Sequence, residues 1–340
     1  MKLSVVIICW NDFKVILDCI ASVYGETRAI EYEVIVTDNA STDGSVAAIR
    51  QRFPDVRVVE NAENGGFGRG NNAGIRLAEG EYILILNPDT IIRDRALEKL
   101  VAYADSHPEA GAFGCRVLNV DGSVQLSAHP LPTLWTSFIK ALGLRWPGRL
   151  WDGFCSDVYA NWDGRTERQI GFQGGCCLLV RGRLLQELNG FDERYFHQFE
   201  DADLCRRVWD SGRPVLFFPG AEITHIGGQN RGTYSIKVEL ETERSKYRYF
   251  YKYYGTKGVI WIRYCSLLGL GLRYAGARML SVLRKDEGLK SKMDKIEVVL
   301  KWHLKLDPVQ FTQNGTEPDV GYAQLAPTAK ANQKILGGGR

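Results

Sequence analysis

Leu3 to Cys9 is an apolar run rich in Val and Ile, and it constrains the fold of this chain more than any other segment. An unbroken run of this kind fits a strand covered on both faces, as in a parallel sheet flanked by helices. After it, Val15, Ile16, Cys19, Ile20 and Val23 recur at helical spacing, with Asn11 or Asp12 placed to cap that helix. The alternation continues. Val34 to Val36 and Val56 to Val59 read as strands, and Asp43 or Ser45 starts a helix between them. Asn71 to Ala78 reads as a helix ended by Gly80, and Tyr82 to Leu86 as a fourth strand. Strands alternating with helices predict an α/β fold with a mainly parallel, Rossmann-like sheet and right-handed crossovers. Ligands in such sheets bind beyond the carboxyl ends of the strands. The turns Cys9–Phe13, Asp38–Ser45 and Asn87–Thr90 are therefore the places for chemistry.

Further along, Gly111 to Val117, Cys176 to Val180 and Val215 to Phe218 read as strands. Helices are expected near Leu184–Leu188 and over Glu200–Ser211, the latter stopped by Gly212. Residues 130–170, with several Pro, Gly and Trp, read as an irregular variable loop. Beyond about Tyr234 the pattern is helical, basic and aromatic. Gly258 to Leu283 is apolar, but Arg263, Arg273 and Arg278 interrupt it, which predicts an interfacial amphipathic helix rather than a membrane span. From Pro308 onward the chain is polar and expected to be loosely ordered.

The net charge of +3 gives no reason to expect nucleic-acid binding. Basic residues crowd the last third instead, from Arg244 to Arg284 and Lys285, a distribution that attracts an anionic surface. The eight cysteines form no C-x-x-C pair, so free buried thiols in a reducing cytosol are expected. The short apolar run after Met1 is followed by polar Asn11-Asp12 rather than a cleavage site, which predicts a cytosolic catalytic domain.

Five constellations carry candidate chemistry. Asp38-Asn39-Ala40-Ser41-Thr42-Asp43-Gly44-Ser45 follows the second strand; its carboxylates suit a base N–H, a ribose hydroxyl, or simply a helix cap. In Asn64-Gly65-Gly66-Phe67-Gly68-Arg69-Gly70-Asn71-Asn72-Ala73-Gly74, glycines allow close backbone approach while Asn64 and Asn71 can meet phosphate or sugar oxygens. Gly68 to Ala73 matches G-x-G-x-x-A, yet follows the third strand, where a dinucleotide fingerprint does not belong. Asn87-Pro88-Asp89-Thr90 ends the fourth strand, leaving Asp89 at the ligand edge as a carboxylate for Mg²⁺ or Mn²⁺. Glu200, Asp201 and Asp203 open a helix, which compensates its dipole and also offers a general base. His225 follows the last strand and is either structural or a metal ligand.

The ordered set resembles the family 2 glycosyltransferases of GT-A fold, especially bacterial rhamnosyltransferase-like members, from Leu3 to about Gly228. The segments that carry the resemblance are Ser4–Asn11, Asp38–Ser45, Asn64-x-Gly66-Phe67-Gly68, Leu86–Thr90, Gly190-Phe191-Asp192-Glu193 and Glu200-Asp201-x-Asp203-Leu204. The resemblance implies that Ile8, Trp10 and Asp38 surround the base and ribose of a nucleotide-sugar. It implies that Asp89 binds the metal as the surviving acid of D-x-D, with Asn87 where an acid often stands. Gly174 and Gly175 would line the sugar region, Asp201 would be the catalytic base with Glu200 supporting it, and His225 a metal ligand.

The implied reaction is inverting transfer from a nucleoside-diphosphate donor, best dTDP-L-rhamnose, with UDP-hexoses and UDP-galactofuranose open. The acceptor is a glycan or polyprenyl-diphosphate-linked glycan, met in the cytoplasm or on the inner face of the cell membrane. The expected organisation is a catalytic domain over 1–232 (donor half about 1–118, acceptor half about 119–232), a basic helical region over 233–307 and a poorly ordered tail over 308–340. The basic region is expected to meet an anionic membrane surface or a second subunit in a homodimer. Two other classes compete: an NAD-dependent oxidoreductase built on Gly68–Ala73, and a non-catalytic carbohydrate-binding protein on the same fold.

Overall fold

The computed structural model describes residues 1–144, 157–227, 236–283 and 287–315. The chain divides into two compact units, Met1–Gly232 and Thr233–Arg340.

The first unit is a mixed, mainly parallel sheet between helices. Its strands are β1 (Leu3–Cys9), β2 (Tyr32–Asp38), β3 (Arg57–Glu60), β4 (Tyr82–Leu86), β5 (Thr90–Ile92), β6 (Ala112–Leu118), β7 (Val124–Gln125), β8 (Ala128–His129), β9 (Arg168–Gln169), β10 (Phe172–Gln173), β11 (Cys177–Arg181) and β12 (Val215–His225). The sheet order is β3-β2-β1-β4-β11-β6-β12-β5, with β7 on β6 and β9 on β12; β8 and β10 form a separate pair. All seven residues of β1 are buried. Leu3, Val5, Ile7 and Cys9 enter one core cluster and Val6 the other, the two-residue period of a strand covered on both sides.

The helices are α1 (Phe13–Glu26), α2 (Ser45–Arg52), α3 (Phe67–Ile75), α4 (Ala96–Ser106), α5 (Leu134–Ala141), α6 (Gly182–Glu187) and α7 (Glu200–Asp210). Helix α1 buries the five residues its spacing indicates: Val15, Ile16, Cys19, Ile20 and Val23. Helix α3 begins four residues earlier than the sequence pattern suggests. Its glycines explain the shift. A Cβ on Gly70 would lie 2.5 Å from Ile8 Cδ1, and one on Gly74 would lie 2.7 Å from Val6 Cγ1, so the helix packs directly against β1.

Three differences from the sequence reading have physical causes. Residues 134–141 form a helix inside the stretch expected to be irregular. Thr133 closes it with a reciprocal capping box to Thr136, a Thr–Thr version of the usual Ser/Thr–Glu device. Strand β12 runs past Phe218, because a bulge between Phe218 and Glu222 absorbs Pro219 and Gly220. The tail expected from Pro308 instead begins with a helix.

That helix belongs to the second unit, made of α8 (Ile236–Leu283), α9 (Glu287–Lys305) and α10 (Pro308–Asn314). Gly255, at φ 61°, breaks α8. Asp307 caps α10 by accepting the Val309 and Gln310 N–H groups, and Phe311 packs against Tyr247 and Trp302. Partly buried Glu243 lies 3.2 Å from His303 Nε2 and also accepts from Lys246; His303 Nδ1 lies 2.9 Å from the Tyr247 hydroxyl. Burial would raise the Glu243 carboxyl pKa, but Lys246 and His303 outweigh it and hold the group well below the usual range. Arg284, Lys285, Cys155, Gly228 and residues 316–340 lie outside the described residues, so the expectations that touch them stay as sequence readings. The seven described cysteines are free thiols, six buried and Cys176 partly so.

Replacing Gly74 by Ala forces a methyl onto Val6 and Thr37, the second at 2.9 Å. Chemical denaturation should show a loss of about 1–3 kcal/mol for this overpacking; a variant as stable as the parent would refute the close-packing account of α3.

Candidate active site

The sheet brings separate chain segments to one edge by register. Strand β1 is parallel to β2, with Cys9 opposite Asp38, and parallel to β4, with Ile7 opposite Leu86. Strand β11 is antiparallel to β4, with Cys177 opposite Leu86, so the residues before it, Gly174 to Cys176, reach the same edge. Strand β12 is antiparallel to β5 and sets His225 opposite Thr90.

The result at Asp89 is an acid–imidazole pair. Asp89 Oδ1 lies 3.0 Å from His225 Nε2, while Asp89 Oδ2 accepts the Gly227 N–H at 3.1 Å. His225 Nδ1 lies 2.9 Å from Gln125 Oε1, and Nε2 lies 3.3 Å from the Asn87 amide nitrogen. With the Gln125 carbonyl as its partner, Nδ1 carries the hydrogen and Nε2 turns its lone pair toward the carboxylate. A lone pair facing a carboxylate oxygen calls for a cation between them, either a proton or a metal. The separation suits a metal: adjacent donors of an octahedral ion with bonds of about 2.1 Å stand about 3.0 Å apart. Among the described residues no group of three or more His, Cys, Asp or Glu forms a closed metal cage. Asp89 and His225 would thus supply two ligands, leaving the rest to donor oxygens and water.

Asp12 adds to this field and is a residue the sequence reading treated only as a helix cap. Its carboxylate accepts the Trp10 N–H at 2.9 Å and makes no cap bond to α1. Burial, opposed by that N–H and reinforced by Asp89, Asp43 and Asp38, pushes its pKa up to about 6. Asp38 is buried; Oδ2 accepts the Ser41 N–H at 3.0 Å, and Oδ1 has no protein partner. An orphaned buried acceptor there is fitted to a ligand N–H or hydroxyl. Ile8 is buried beneath, and Trp10 is half-exposed at 49%.

The second acid group lies at the start of α7. Asp201 accepts the Gly175 N–H at 3.2 Å through Oδ2 and its neighbour Ala202 N–H at 2.7 Å through Oδ1. Glu200 is buried and its Oε2 has no protein partner. Burial and then the Asp201 charge raise the Glu200 pKa to about 8. Burial also raises Asp201, opposed by the Ala202 N–H, His129 and the Gly175 N–H. The pair therefore shares its charge unequally: Glu200 keeps a proton while Asp201, with its donors, is the anion. The Cys176 thiol feels both acid groups. Burial, Cys177 and then both Asp89 and Asp201 push its thiol pKa above the usual range.

The remaining expected residues divide. Asn64 Oδ1 accepts the Gly66 N–H at 3.0 Å, and Asn39 donates to the Gly66 carbonyl at 3.1 Å, so this loop is tied to the end of β2. Gly66 needs to be glycine for packing: at φ 87°, a Cβ would lie 2.3 Å from the Phe196 carbonyl oxygen. Asn71 turns inward, fully buried, with its amide donating to Phe67 within α3. His129 and Gln125 were not singled out from the sequence, and Asp12 only as a helix cap. Of these, only Asp12 carried a signal, its place in the turn after β1.

Residues 4–157 match the model of Glycosyl transferase family 2. Over 211 residues the chain is 34% identical to the N-acetylglucosaminyl-diphospho-decaprenol L-rhamnosyltransferase of Mycobacterium tuberculosis, covering 58% of this chain and 68% of that one. The chain belongs to glycosyl transferase family 2. This family 2 glycosyltransferase is also 27% identical over 228 residues to rhamnosyltransferase WbbL of Escherichia coli K12, covering 64% and 81% of the two chains. Its fold resembles that of the mannosyltransferase PcManGT from Pyrobaculum calidifontis, solved with GDP-Man and Mn²⁺ (TM-score 0.55, 17% identity, 88% of this chain and 87% of that one). It also resembles residues 1–349 of TarS from S. aureus, solved with UDP-GlcNAc (TM-score 0.51, 17% identity, 96% and 88% covered). The mixed sheet with flanking helices and a helical C-terminal part is the GT-A arrangement. Family membership displaces the oxidoreductase alternative, and the glycines of Gly68–Ala73 do not form a nucleotide turn but lie within α3.

Glu200 provides a pH test of the paired acids. Its folded pKa lies above the ordinary carboxyl value, so the folded chain binds more protons and loses stability as pH rises from about 4.5 to about 8. Glu200→Gln removes that titration. Its melting temperature should gain on the parent's steadily between about pH 5 and about pH 8; a difference that stays constant across this range would contradict the protonated Glu200.

Proposed function

We propose that this enzyme moves L-rhamnose from dTDP-L-rhamnose, with inversion, to a hydroxyl of a polyprenyl-diphosphate-linked glycan in cell-surface polysaccharide synthesis. The two rhamnosyltransferase relatives support the sugar, and the decaprenol-linked substrate named for the mycobacterial one supports the acceptor. The observation that supports the chemistry is the strand register: it sets Cys177 opposite Leu86, so that Asp89 with His225 and the Gly175 N–H that holds Asp201 follow from neighbouring strand ends.

In this reading Asp38 and Trp10 hold the nucleotide, with the free Asp38 Oδ1 accepting from base or ribose. Asp201 takes the proton of the acceptor hydroxyl as its oxygen attacks the anomeric carbon and the nucleoside diphosphate departs. Glu200, protonated, keeps a second negative charge away from that base. The N–H of Gly175 fixes the Asp201 carboxylate in place. Asp89 and His225 would hold a divalent Mg²⁺ or Mn²⁺ ion, which when bound neutralises diphosphate charge as a Lewis acid. Asp12 and Asp43 make the edge so negative that an anionic donor needs such a counter-charge. Action at the cytoplasmic face of the membrane belongs to the same reading.

Asp201→Asn should lower turnover by roughly 10²–10⁴-fold with donor binding retained. Near-parental kcat would remove Asp201 as base, and loss of donor binding would make its role structural. His225→Ala and Asp89→Ala should each weaken Mn²⁺-dependent donor binding in calorimetry by about tenfold or more. Thermal shift across dTDP-L-rhamnose, UDP-hexoses and UDP-galactofuranose checks the donor: the largest stabilisation should come from dTDP-L-rhamnose, and a larger one from a uridine nucleotide would overturn that choice.

A further inference from the structure

The part of α8 after Gly255 is apolar on two opposite faces. Val259, Ile262, Leu270 and Ala277 are buried. On the other side Trp261 (42%), Tyr264 (66%), Leu268 (40%), Leu272 (50%) and Met279 (73%) are exposed. Spacings of three, four, four and seven residues keep these five on one stripe. From Trp261 to Met279 the stripe covers five turns, about 27 Å, without drifting around the helix. A coiled-coil seam repeats every 3.5 residues and drifts on a straight helix, whereas a stripe at 3.6 suits a flat partner. An exposed run of large apolar side chains of this extent marks an interaction surface.

Charge selects the partner. Residues 256–283 contain Lys257, Arg263, Arg273 and Arg278 and no acid at all. Lys257 lies on the stripe one turn before Trp261, and Arg278 borders its far end. A symmetric pairing of two copies along this stripe would bring cations toward cations with no carboxylate in the segment to meet them. An anionic lipid surface meets both features at once, since long basic side chains reach headgroup phosphates while the apolar stripe enters the acyl boundary. Trp and Tyr favour that boundary. The segment lies along the surface rather than across it: among the described residues no helix is long and apolar enough to cross a membrane.

We propose that the Trp261–Met279 face of α8 is a docking surface for an anionic lipid bilayer, with Leu268, Leu272 and Met279 inserted and Lys257 and Arg278 on headgroup phosphates. The surface operates whichever sugar the active site moves. The test is co-sedimentation of the full chain, without donor or acceptor, with vesicles of phosphatidylglycerol and phosphatidylcholine or of phosphatidylcholine alone. The chain should bind the anionic vesicles at low salt and be released at high salt. Lys257→Gln with Arg278→Gln should weaken binding roughly thirtyfold, and Leu268→Gln with Leu272→Gln roughly tenfold or more. All four sites are exposed, so circular dichroism and melting should match the parent and separate lost docking from lost folding. Absence of anionic-vesicle binding by the parent would overturn the proposal, as would parental binding by both double variants. A dimer in sedimentation velocity that Leu268→Gln with Leu272→Gln dissolves, with vesicle binding unchanged, would assign the stripe to a second copy instead.

Discussion

Cys9 stands opposite Asp38 and Ile7 opposite Leu86, so β1, β2 and β4 end at nearly one level. The turns that follow carry Asp12, Asp38 and Asp43, and Asp89, and they have nowhere to go but the same edge. Hydrogen-bond register is a cooperative constraint: shifting one strand by a residue would reverse every buried side chain of β1. Carboxylates that repel one another are thus held together by a core that has nothing to do with them. Burial first, and then the Asp89, Asp43 and Asp38 charges, push the Asp12 pKa up to about 6.

The two acid groups solve their burial differently. At α7 one member of a pair stays protonated, so the helix start carries a single charge there. At Asp89 the relief comes from an imidazole whose far nitrogen is tied to Gln125, leaving the near one for a cation. Asn87, standing where a second acid often stands, donates toward that imidazole instead of adding another negative charge. His225 therefore fits the place of a missing ligand, with its orientation set from the two-residue strand β7.

Strands buried on both faces were legible because nothing but apolar residues serves there; β1, β2 and β4 fall where the runs of Val, Ile and Leu stand. Two- and three-residue strands such as β5, β7 and β8 leave no periodicity to read. Strand β5 matters most, since its pairing with β12 is what joins Asp89 to His225 across 136 positions of sequence. Pro219-Gly220 hid the second half of β12, and a capping box built from two threonines hid α5 among prolines. In the candidate site, acids at strand and helix ends could be named from position alone. Whether a side chain faces outward could not: Asn71 is buried with its amide bonded back to Phe67, while Asp12 looks like a cap and accepts from Trp10 instead.

The bond Asp12 does not make to α1 falls to Asp43. Its Oδ2 accepts the Phe13 N–H at 2.9 Å and its Oδ1 the Ser45 N–H at 3.0 Å, so one side chain closes the first turns of both α1 and α2. Partial burial would raise its pKa, but bonds from Ser45 and Phe13 prevail and hold it below the ordinary value. That stabilisation is complete above the unfolded carboxyl pKa and is lost as pH falls through the lower, folded one. The loops of β1 and β2 are therefore stitched by a single acid-labile knot. Protonating that one carboxyl, at a pH below the ordinary carboxyl value, would release the starts of α1 and α2 together.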